Sequence, residues 1–560
     1  SLWLTLVDID RDFDELQQLA EEESPGGFVT DLLSPKQLVS RRSFVQGSSI
    51  AALAAGLQGC VRRPESEILP YSKAPEHVIP GVASHYATVT ARGRDALGVV
   101  VTSHDGRPTK IEGNPIHRRS AGATDVRGQA YVWDLYDPDR SQSPAKRNGG
   151  ALASVSFEEL DKALEALVKK HESDKGKGLR FLARISNSPT FRRLRDKTLA
   201  RFPEAKFYTY SPVDDDSVRE GAVIAFGAPR HVTVNYSVAR TVVSLDSDFL
   251  GTEPGAVASG RQLGFRRAQV DSPDKVDRRL YVVESNFTIT GGMADNRLRL
   301  PSSQMERFAQ LLALALHERG VAALSPLVGA LGRVSTDGID AAFVNAIADE
   351  LVANRGSGAV VPGSGLPARA HALVHAINYA LENVGKRKDK PVKISTPIDE
   401  AEQPSRKSIA ALAEELPQIE TLIILDGNPV YDSPADLEFG KLLDREGLTS
   451  VHLASHRDET SQRTSWHIPM AHELEAWGDQ ESLDAMVAVQ QPLIAPLYGG
   501  RSAIELLAFV AGEETTKGHE LVRETQDKAL TGLASIFGAL GAVPDSVSAD
   551  GCLLYTSDAA

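Results

Sequence analysis

Cysteine is almost missing from this chain: among 560 residues only Cys60 and Cys552 occur. Two thiols cannot build a four-cysteine iron–sulfur cluster or a Cys-rich zinc site, and a disulfide between them would join opposite ends of the sequence. Basic charge is also in deficit. The 61 Lys and Arg residues face 75 Asp and Glu, for a formal net charge of −14. That balance argues against non-specific attraction to nucleic-acid phosphates or anionic lipid headgroups; cationic partners, basic cytochromes among them, fit better. Long apolar runs are lacking as well. The uncharged stretch 47–59 falls short of the roughly 20 residues that span a bilayer. Some catalytic signatures are missing: Gly363-Ser364-Gly365 lacks the Gly-x-Ser-x-Gly spacing of a nucleophile elbow, and neither a Walker loop nor a Gly-x-Gly-x-x-Gly after a strand occurs.

What is present is ordinary globular material, 42% hydrophobic and 24% charged. The length exceeds what one core serves, so two to four domains, or one large interleaved α/β assembly, are expected. An acidic preamble occupies 1–39; its first 33 residues carry nine acidic side chains and one basic one, Arg11. Residues 40–60 follow as an export pattern. Ser40-Arg41-Arg42-Ser43-Phe44-Val45-Gln46 leads into an apolar stretch of signal length, as in twin-arginine signals. That stretch ends in Leu57-Gln58-Gly59-Cys60, similar to a lipobox whose cysteine would carry a lipid, although Gln58 stands where small side chains are preferred. The alternative is a basic helix start running into an Ala-rich buried helix, with Cys60 a small core hydrophobe.

Pro64, Pro70, Pro75 and Pro80 make 61–80 an extended linker. A small β-rich domain is expected over 81–150, with a turn at Asp105-Gly106 and a loop over 143–150. Then strands and helices alternate. Helices are expected over 157–170, 191–202, 304–318, 338–353 and 368–382. Strands are expected over 179–183, 241–245, 280–283, 359–361, 421–425 and 450–454. Such alternation implies parallel sheets covered on both faces: an α/β fold with one α/β domain at 151–335, a second at 336–512, and a tail at 513–560. Two strands share a β-run ending in Leu-Asp, Thr241 to Asp246 and Thr421 to Asp426, an echo that suits two related Rossmann-like halves. Ligand loops of such sheets lie at the C-terminal strand ends, which points to Asp426-Gly427-Asn428-Pro429 and Pro362-Gly363-Ser364-Gly365; on spacing alone both are equally tight turns.

Several strings resemble one family closely: Lys110-Ile111-Glu112-Gly113-Asn114-Pro115 with His117, Asp134-Leu135-Tyr136-Asp137-Pro138-Asp139-Arg140-Ser141, and Leu245-Asp246-Ser247-Asp248-Phe249-Leu250-Gly251. The first is typical of molybdopterin oxidoreductases. Together with Val283-Glu284-Ser285-Asn286, Gly291-Gly292-Met293-Ala294-Asp295 and Pro492 to Ser502, they resemble the B subunit of alternative complex III up to about Gly512. The resemblance implies a molybdopterin-oxidoreductase-like fold. It also implies a module on the periplasmic face of the bacterial inner membrane that is itself non-catalytic and belongs to a quinol-oxidising complex. The partners implied are multihaem and monohaem cytochrome c subunits, quinol-binding integral membrane subunits and an iron–sulfur domain. No cofactor is expected in this chain, the iron–sulfur clusters belonging to a C-terminal half beyond it. The run 553–560 resembles translated sequencing-adapter read-through, so Cys552 carries no functional weight.

Glu112, Gly113, Asn114 and Pro115, with Gly427, Asn428 and Pro429, match pterin-binding loops of active relatives and are read as vestigial. The alternative, an active exported bis-pterin molybdenum oxidoreductase, would use a protein ligand, Ser211 or less plausibly Ser217, or a direct oxo ligand; serine in a loop is more simply a turn residue. His452, His456, His467 and His472, with Asp458, Glu473 and Glu475, form the densest histidine group. Packing is expected of them ahead of metal binding, and no catalytic residue is assigned.

Overall fold

A computed structural model describes residues 78–267, 278–399 and 403–539. The preamble, Arg41, Arg42, Phe44, Cys60 and the closing run with Cys552 lie outside the described residues.

The β-rich segment begins with a three-stranded antiparallel meander, Ser84–Arg92, Asp95–His104 and Arg107–Gly113. Asp105 and Gly106 join the last two strands with φ of 50° and 79°, as a two-residue hairpin turn requires for the strands to keep their right-handed twist. Helix Val126–Leu135 packs on this sheet through Val132 and Leu135, and Asp125 caps it by accepting from the Gly128 amide. The expected loop at 143–150 is partly strand. Ala145–Asn148 and Ala151–Ser154 pair across Gly149 and Gly150, both with positive φ; the polar Ala-Lys-Arg-Asn run hides the first of these strands from a hydrophobicity reading.

Two larger sheets follow. One has seven strands in the order 151–154, 145–148, 466–469, 449–454, 421–425, 179–183 and 206–209, parallel from 466–469 onward. The other has four parallel strands in the order 296–299, 279–284, 241–245 and 358–362. The central strands Leu179–Ala183, Thr241–Leu245 and Thr421–Leu425 are buried at every position. That is why they read as mainly apolar runs without alternation, with Arg180, Thr241, Ser244 and Thr421 as buried polar exceptions. Each sheet is packed on both faces: the seven-stranded one by cores around Phe181 and Leu507 and around Leu182 and Leu412, the four-stranded one by cores around Phe308 and Val374 and around Tyr236 and Leu280. Fully buried side chains of this size each contribute about 1.5–3 kcal/mol.

The expected α/β class with parallel sheets is what the chain forms. Its strand membership does not follow a split near 335. The seven-stranded sheet draws on 145–209 and again on 421–469, and the four-stranded sheet takes its last strand from 358–362. Apolar pattern specifies that a strand is buried and says nothing of which sheet it joins.

Candidate functional site at the strand ends

The two Leu-Asp strands end alike. Asp246 and Asp426 each follow directly, in left-handed conformation with φ of 54° and 66°, a state that short polar side chains tolerate by bonding locally. Each donates its backbone N–H to the neighbouring strand, Asp246 to the Val283 carbonyl at 2.7 Å and Asp426 to that of Leu453 at 3.0 Å. The Asp246 carboxylate accepts from the amide and hydroxyl of Ser285, both at 2.9 Å, and from Ser302. The Asp426 carboxylate accepts from the Gly427 amide at 2.7 Å and lies 3.5 Å from Arg184.

Two residues further on, the likeness becomes a motif. Asp248 Oδ1 accepts from the amide and hydroxyl of Thr290 at 3.1 and 2.8 Å; Asn428 Oδ1 accepts from the amide and hydroxyl of Thr460 at 3.2 and 2.7 Å. Each threonine hydroxyl then accepts a backbone N–H, from Leu250 and Val430, at 3.0 Å in both loops. The Leu-Asp echo is thus carried by two loops with one hydrogen-bond plan. The sequence reading missed the threonines because they sit 42 and 32 residues beyond their partners.

Gly363 closes against the first of these loops. Its N–H donates to the Leu245 carbonyl at 2.8 Å, and a Cβ there would lie 2.0 Å from the Asp246 carbonyl oxygen. The amide of Ser364 donates to Glu253, whose carboxyl is pushed up by burial. Pro429 is buried at the first turn of the short helix Pro429–Asp432, and Asn428 also donates to Glu459 at 2.6 Å.

Glu112 to Pro115 lie at the end of the meander instead. Glu112 is exposed and pairs with Lys110 at 2.7 Å, which holds its carboxyl below the usual range. Gly113 is needed for packing, since a Cβ would lie 2.2 Å from the Ala123 carbonyl oxygen. Asn114 closes a turn: its side chain accepts from Ile116 N at 3.0 Å and its carbonyl from Ser120 Oγ at 2.9 Å. Among the described residues no hydrogen bond or ion pair joins 112–115 to 427–429. Ser211, just past strand Lys206–Thr209, donates its hydroxyl to the Val213 carbonyl at 3.1 Å, and Ser217 lies in the first turn of helix Asp216–Phe226.

The histidine group divides. His452 Nε2 lies 2.8 Å from the Gly427 carbonyl, and its Nδ1 2.9 Å from Ser461 Oγ; that oxygen is 2.9 Å from His467 Nδ1, whose Nε2 is 2.6 Å from Ser141 Oγ. The Gly427 carbonyl can only accept, so His452 Nε2–H donates to it and His452 Nδ1 accepts from Ser461 O–H, whose other acceptor, the His456 carbonyl, is more distant at 3.3 Å; His467 Nδ1–H then donates to Ser461, and Ser141 O–H to His467 ahead of the Ser143 carbonyl at 3.4 Å. Burial keeps both rings neutral, pushing His467 down to about 3 and His452 below its usual value. His456 pairs with Asp137 at 3.2 Å, while His472 lies against Tyr131 with ring centres 4.5 Å apart. Glu475 makes a buried two-pronged pair with Arg140 at 2.6 and 3.2 Å. Among the described residues no three His, Cys, Asp or Glu converge as a metal-binding set.

A cleft of about 510 Å³ opens elsewhere, between Glu475–Trp477, Pro492–Pro496, Glu505 and Lys517–His519. None of its lining comes from the strand-end loops, which is where open α/β sheets place their ligands.

No protein-family model matches the chain. It is 23% identical over 467 residues to the menaquinone reductase, molybdopterin-binding-like subunit, of Nitratidesulfovibrio vulgaris, a match covering 78% of this chain and 66% of that relative. The chain therefore spans just under two thirds of that relative's length. A shorter match, 34% identical over 74 residues, joins it to the probable oxidoreductase YyaE of Bacillus subtilis, covering 13% of this chain and 11% of that protein. Among solved structures, acetylene hydratase from Pelobacter acetylenicus superposes with a TM-score of 0.55 at 14% identity, covering 77% of this chain and 68% of the hydratase. The fold is accordingly that of a molybdopterin-oxidoreductase-like α/β protein. These likenesses fit the resemblance to the B subunit of alternative complex III carried by the sequence motifs.

Proposed function

We propose that this chain is a non-catalytic, molybdopterin-oxidoreductase-like module of a quinone-linked electron-transfer complex of the alternative complex III type. The observation that carries the reading is the match over 78% of the chain to a menaquinone reductase subunit whose own name is molybdopterin-binding-like. In this reading the chain is scaffold, and the redox centres belong to neighbours: an iron–sulfur domain, cytochrome c subunits and integral membrane subunits that bind the quinol. Among the described residues no helix is long and apolar enough to cross a membrane, so the association proposed is peripheral, on the periplasmic face. Arg41, Arg42 and Phe44 would direct twin-arginine export, and Cys60 would accept a lipid. Replacing Arg41 and Arg42 by Lys then blocks export of folded protein; unchanged export contradicts that part.

The donor set supports scaffold over catalyst. Among the described residues there is no cysteine, the Ser211 hydroxyl is engaged by the Val213 carbonyl, and the loop carboxylates and amides bond to their own threonines and serines. These residues do not fit a protein-ligated molybdenum ion. Glu112 to Pro115 and Gly427 to Pro429 stand as inherited architecture of a cofactor crevice. The deciding measurement is molybdenum and pterin content of chain purified from a host that makes the cofactor. Near-stoichiometric metal would replace this reading with an active bis-pterin molybdenum oxidoreductase. Its absence, with co-purifying haem subunits, supports the scaffold.

A further inference from the structure

Helix Asp216–Phe226 and helix Ala368–Ala380 lie side by side and run the same way. A Cβ on Gly221 would lie 2.4 Å from His371 Cβ, and further along the rings of Phe226 and His375 are 5.1 Å apart. The pairing buries one face of each helix and leaves apolar side chains on the outside: Val223 is 43% exposed, Ile224 63% and Tyr379 71%. Tyr379 stands four residues past His375, which puts all three within about two helical turns along the pair.

Beyond Tyr379 the chain turns basic. From 383 to 393 it carries Lys386, Arg387, Lys388, Lys390 and Lys393 against the single acid Asp389, in a sequence whose net charge is −14. This stretch is folded back onto the helix end. Lys390 Nζ donates to the Glu382 carbonyl at 2.7 Å, and the Glu382 N–H donates to the Tyr379 carbonyl at 2.9 Å. The Gly385 N–H donates to the Val392 carbonyl and the Lys390 N–H to that of Arg387, both at 3.1 Å, so Lys386 to Asp389 form the tip of a tight excursion. Lys386, Arg387, Lys388 and Lys393 are exposed. Arg387 pairs with Asp389 at 3.0 Å, whereas Lys386, Lys388 and Lys393 make no ion pair among the described residues. The chain's excess of acid does not cancel this cluster, because near-physiological salt screens charges more than about 8 Å away.

We propose that the Val223–Ile224–Tyr379 surface and the basic tip at 386–393 together seat this protein on a membrane rich in anionic phospholipid. Free ammonium groups on long apolar stems meet the headgroups, while the exposed aromatic and aliphatic side chains enter the interfacial layer. No lining of the cleft described above comes from this surface, and a lipid layer, unlike a folded partner, needs none. The contact deepens the peripheral association proposed above and rests on that reading, but the two fail separately, since vesicle binding reports nothing of molybdenum content or haem partners.

Co-sedimentation of the full chain with vesicles tests it. Binding to mixed phosphatidylglycerol–phosphatidylcholine vesicles is expected at about 0.1 M salt and release at about 1 M, where the screening length shrinks to about 3 Å. Pure phosphatidylcholine vesicles should leave the chain in solution. Lys386→Gln/Lys388→Gln/Lys393→Gln should weaken binding by about tenfold or more, and Ile224→Ser/Tyr379→Ser by several-fold with the salt dependence kept. All five side chains are exposed, so these variants should fold as the wild type does; Lys386→Gln/Lys388→Gln serves if the triple variant does not. Folded chain that ignores the anionic vesicles overturns the proposal, as does binding indifferent to the lysine substitutions. Capture by poly-glutamate through the same lysines, with the vesicles left alone, would mark the surface as one for an acidic protein and overturn it too.

Discussion

His452 and His467 address one hydroxyl from two sides: the Nδ1 atoms of both rings lie 2.9 Å from Ser461 Oγ. The Gly427 carbonyl holds the His452 proton on Nε2, so His452 Nδ1 accepts the single hydroxyl proton and His467 Nδ1–H donates to the same oxygen. Nitrogen-15 spectra should therefore show opposite tautomers, His452 protonated at Nε2 and His467 at Nδ1, at neutral pH. Two identical tautomers would sink the assignment. Ser461→Ala should lower stability by about 1–3 kcal/mol, leaving both Nδ1 atoms unmet in the core. Faster amide exchange around Gly427 should accompany it.

Acid should unfold this protein early. Burial pushes His231, His371, His375 and His472 down to about 4 and His467 to about 3. The unfolded chain binds protons on these groups from about pH 6.5 downward and the folded chain does not. Their contribution is present in full above about 6.5 and is lost as pH falls toward 4. Glu473, raised to about 7, works the other way over the same range, as do the carboxyls of Glu253 and Asp432, which burial also raises, but the five histidines outnumber them. A Tm that falls by several degrees between pH 7 and pH 5 is expected; a flat profile would contradict it.

Gly363 is held by space. Its φ is unremarkable, yet a Cβ would sit 2.0 Å from backbone oxygen of Asp246. Gly363→Ala should therefore destabilise by about 1–3 kcal/mol in denaturant unfolding, whereas Gly365→Ala, with nothing within 4 Å of its Cβ, should be near neutral. Equal effects would show that the loops do not meet as described.

The twin loops allow an internal comparison. Thr290→Val and Thr460→Val remove the same hydroxyl from the same position in each. The first leaves an anion, Asp248, one donor short and the second a neutral amide, Asn428. Bonds to charged groups are roughly twice as strong, so Thr290→Val should be the more damaging by about 1 kcal/mol. The reverse order in urea midpoints would refute the reading.

Much of the fold was legible where burial leaves no choice of residue. The strands Leu179–Ala183, Thr241–Leu245 and Thr421–Leu425 coincide with their expected ranges because burial on both faces makes most of their side chains apolar. The helix Ala368–Ala380 was foreseen with a frayed end. Long-range pairing was not legible. Helix Val126–Leu135 went unnoticed because Val126 and Trp133 are exposed and blur its apolar stripe. In the candidate site the Leu-Asp echo showed in the sequence, but its threonines did not, nor did the histidine chain, whose last link joins residues 326 positions apart. Hydrogen bonds of that span leave no periodicity to read.

The four-stranded sheet is inserted within the sequence of the seven-stranded one, and this governs when the larger sheet can close. His171, buried beside strand Leu179–Ala183, bonds to Thr421 on the next strand, a residue 250 positions later. At roughly 5–20 residues per second of synthesis, the early half waits many seconds with an open apolar edge. Such an edge invites pairing with any other chain. Nascent chains, or pieces cut before residue 421, should therefore depend on a chaperone to stay monomeric.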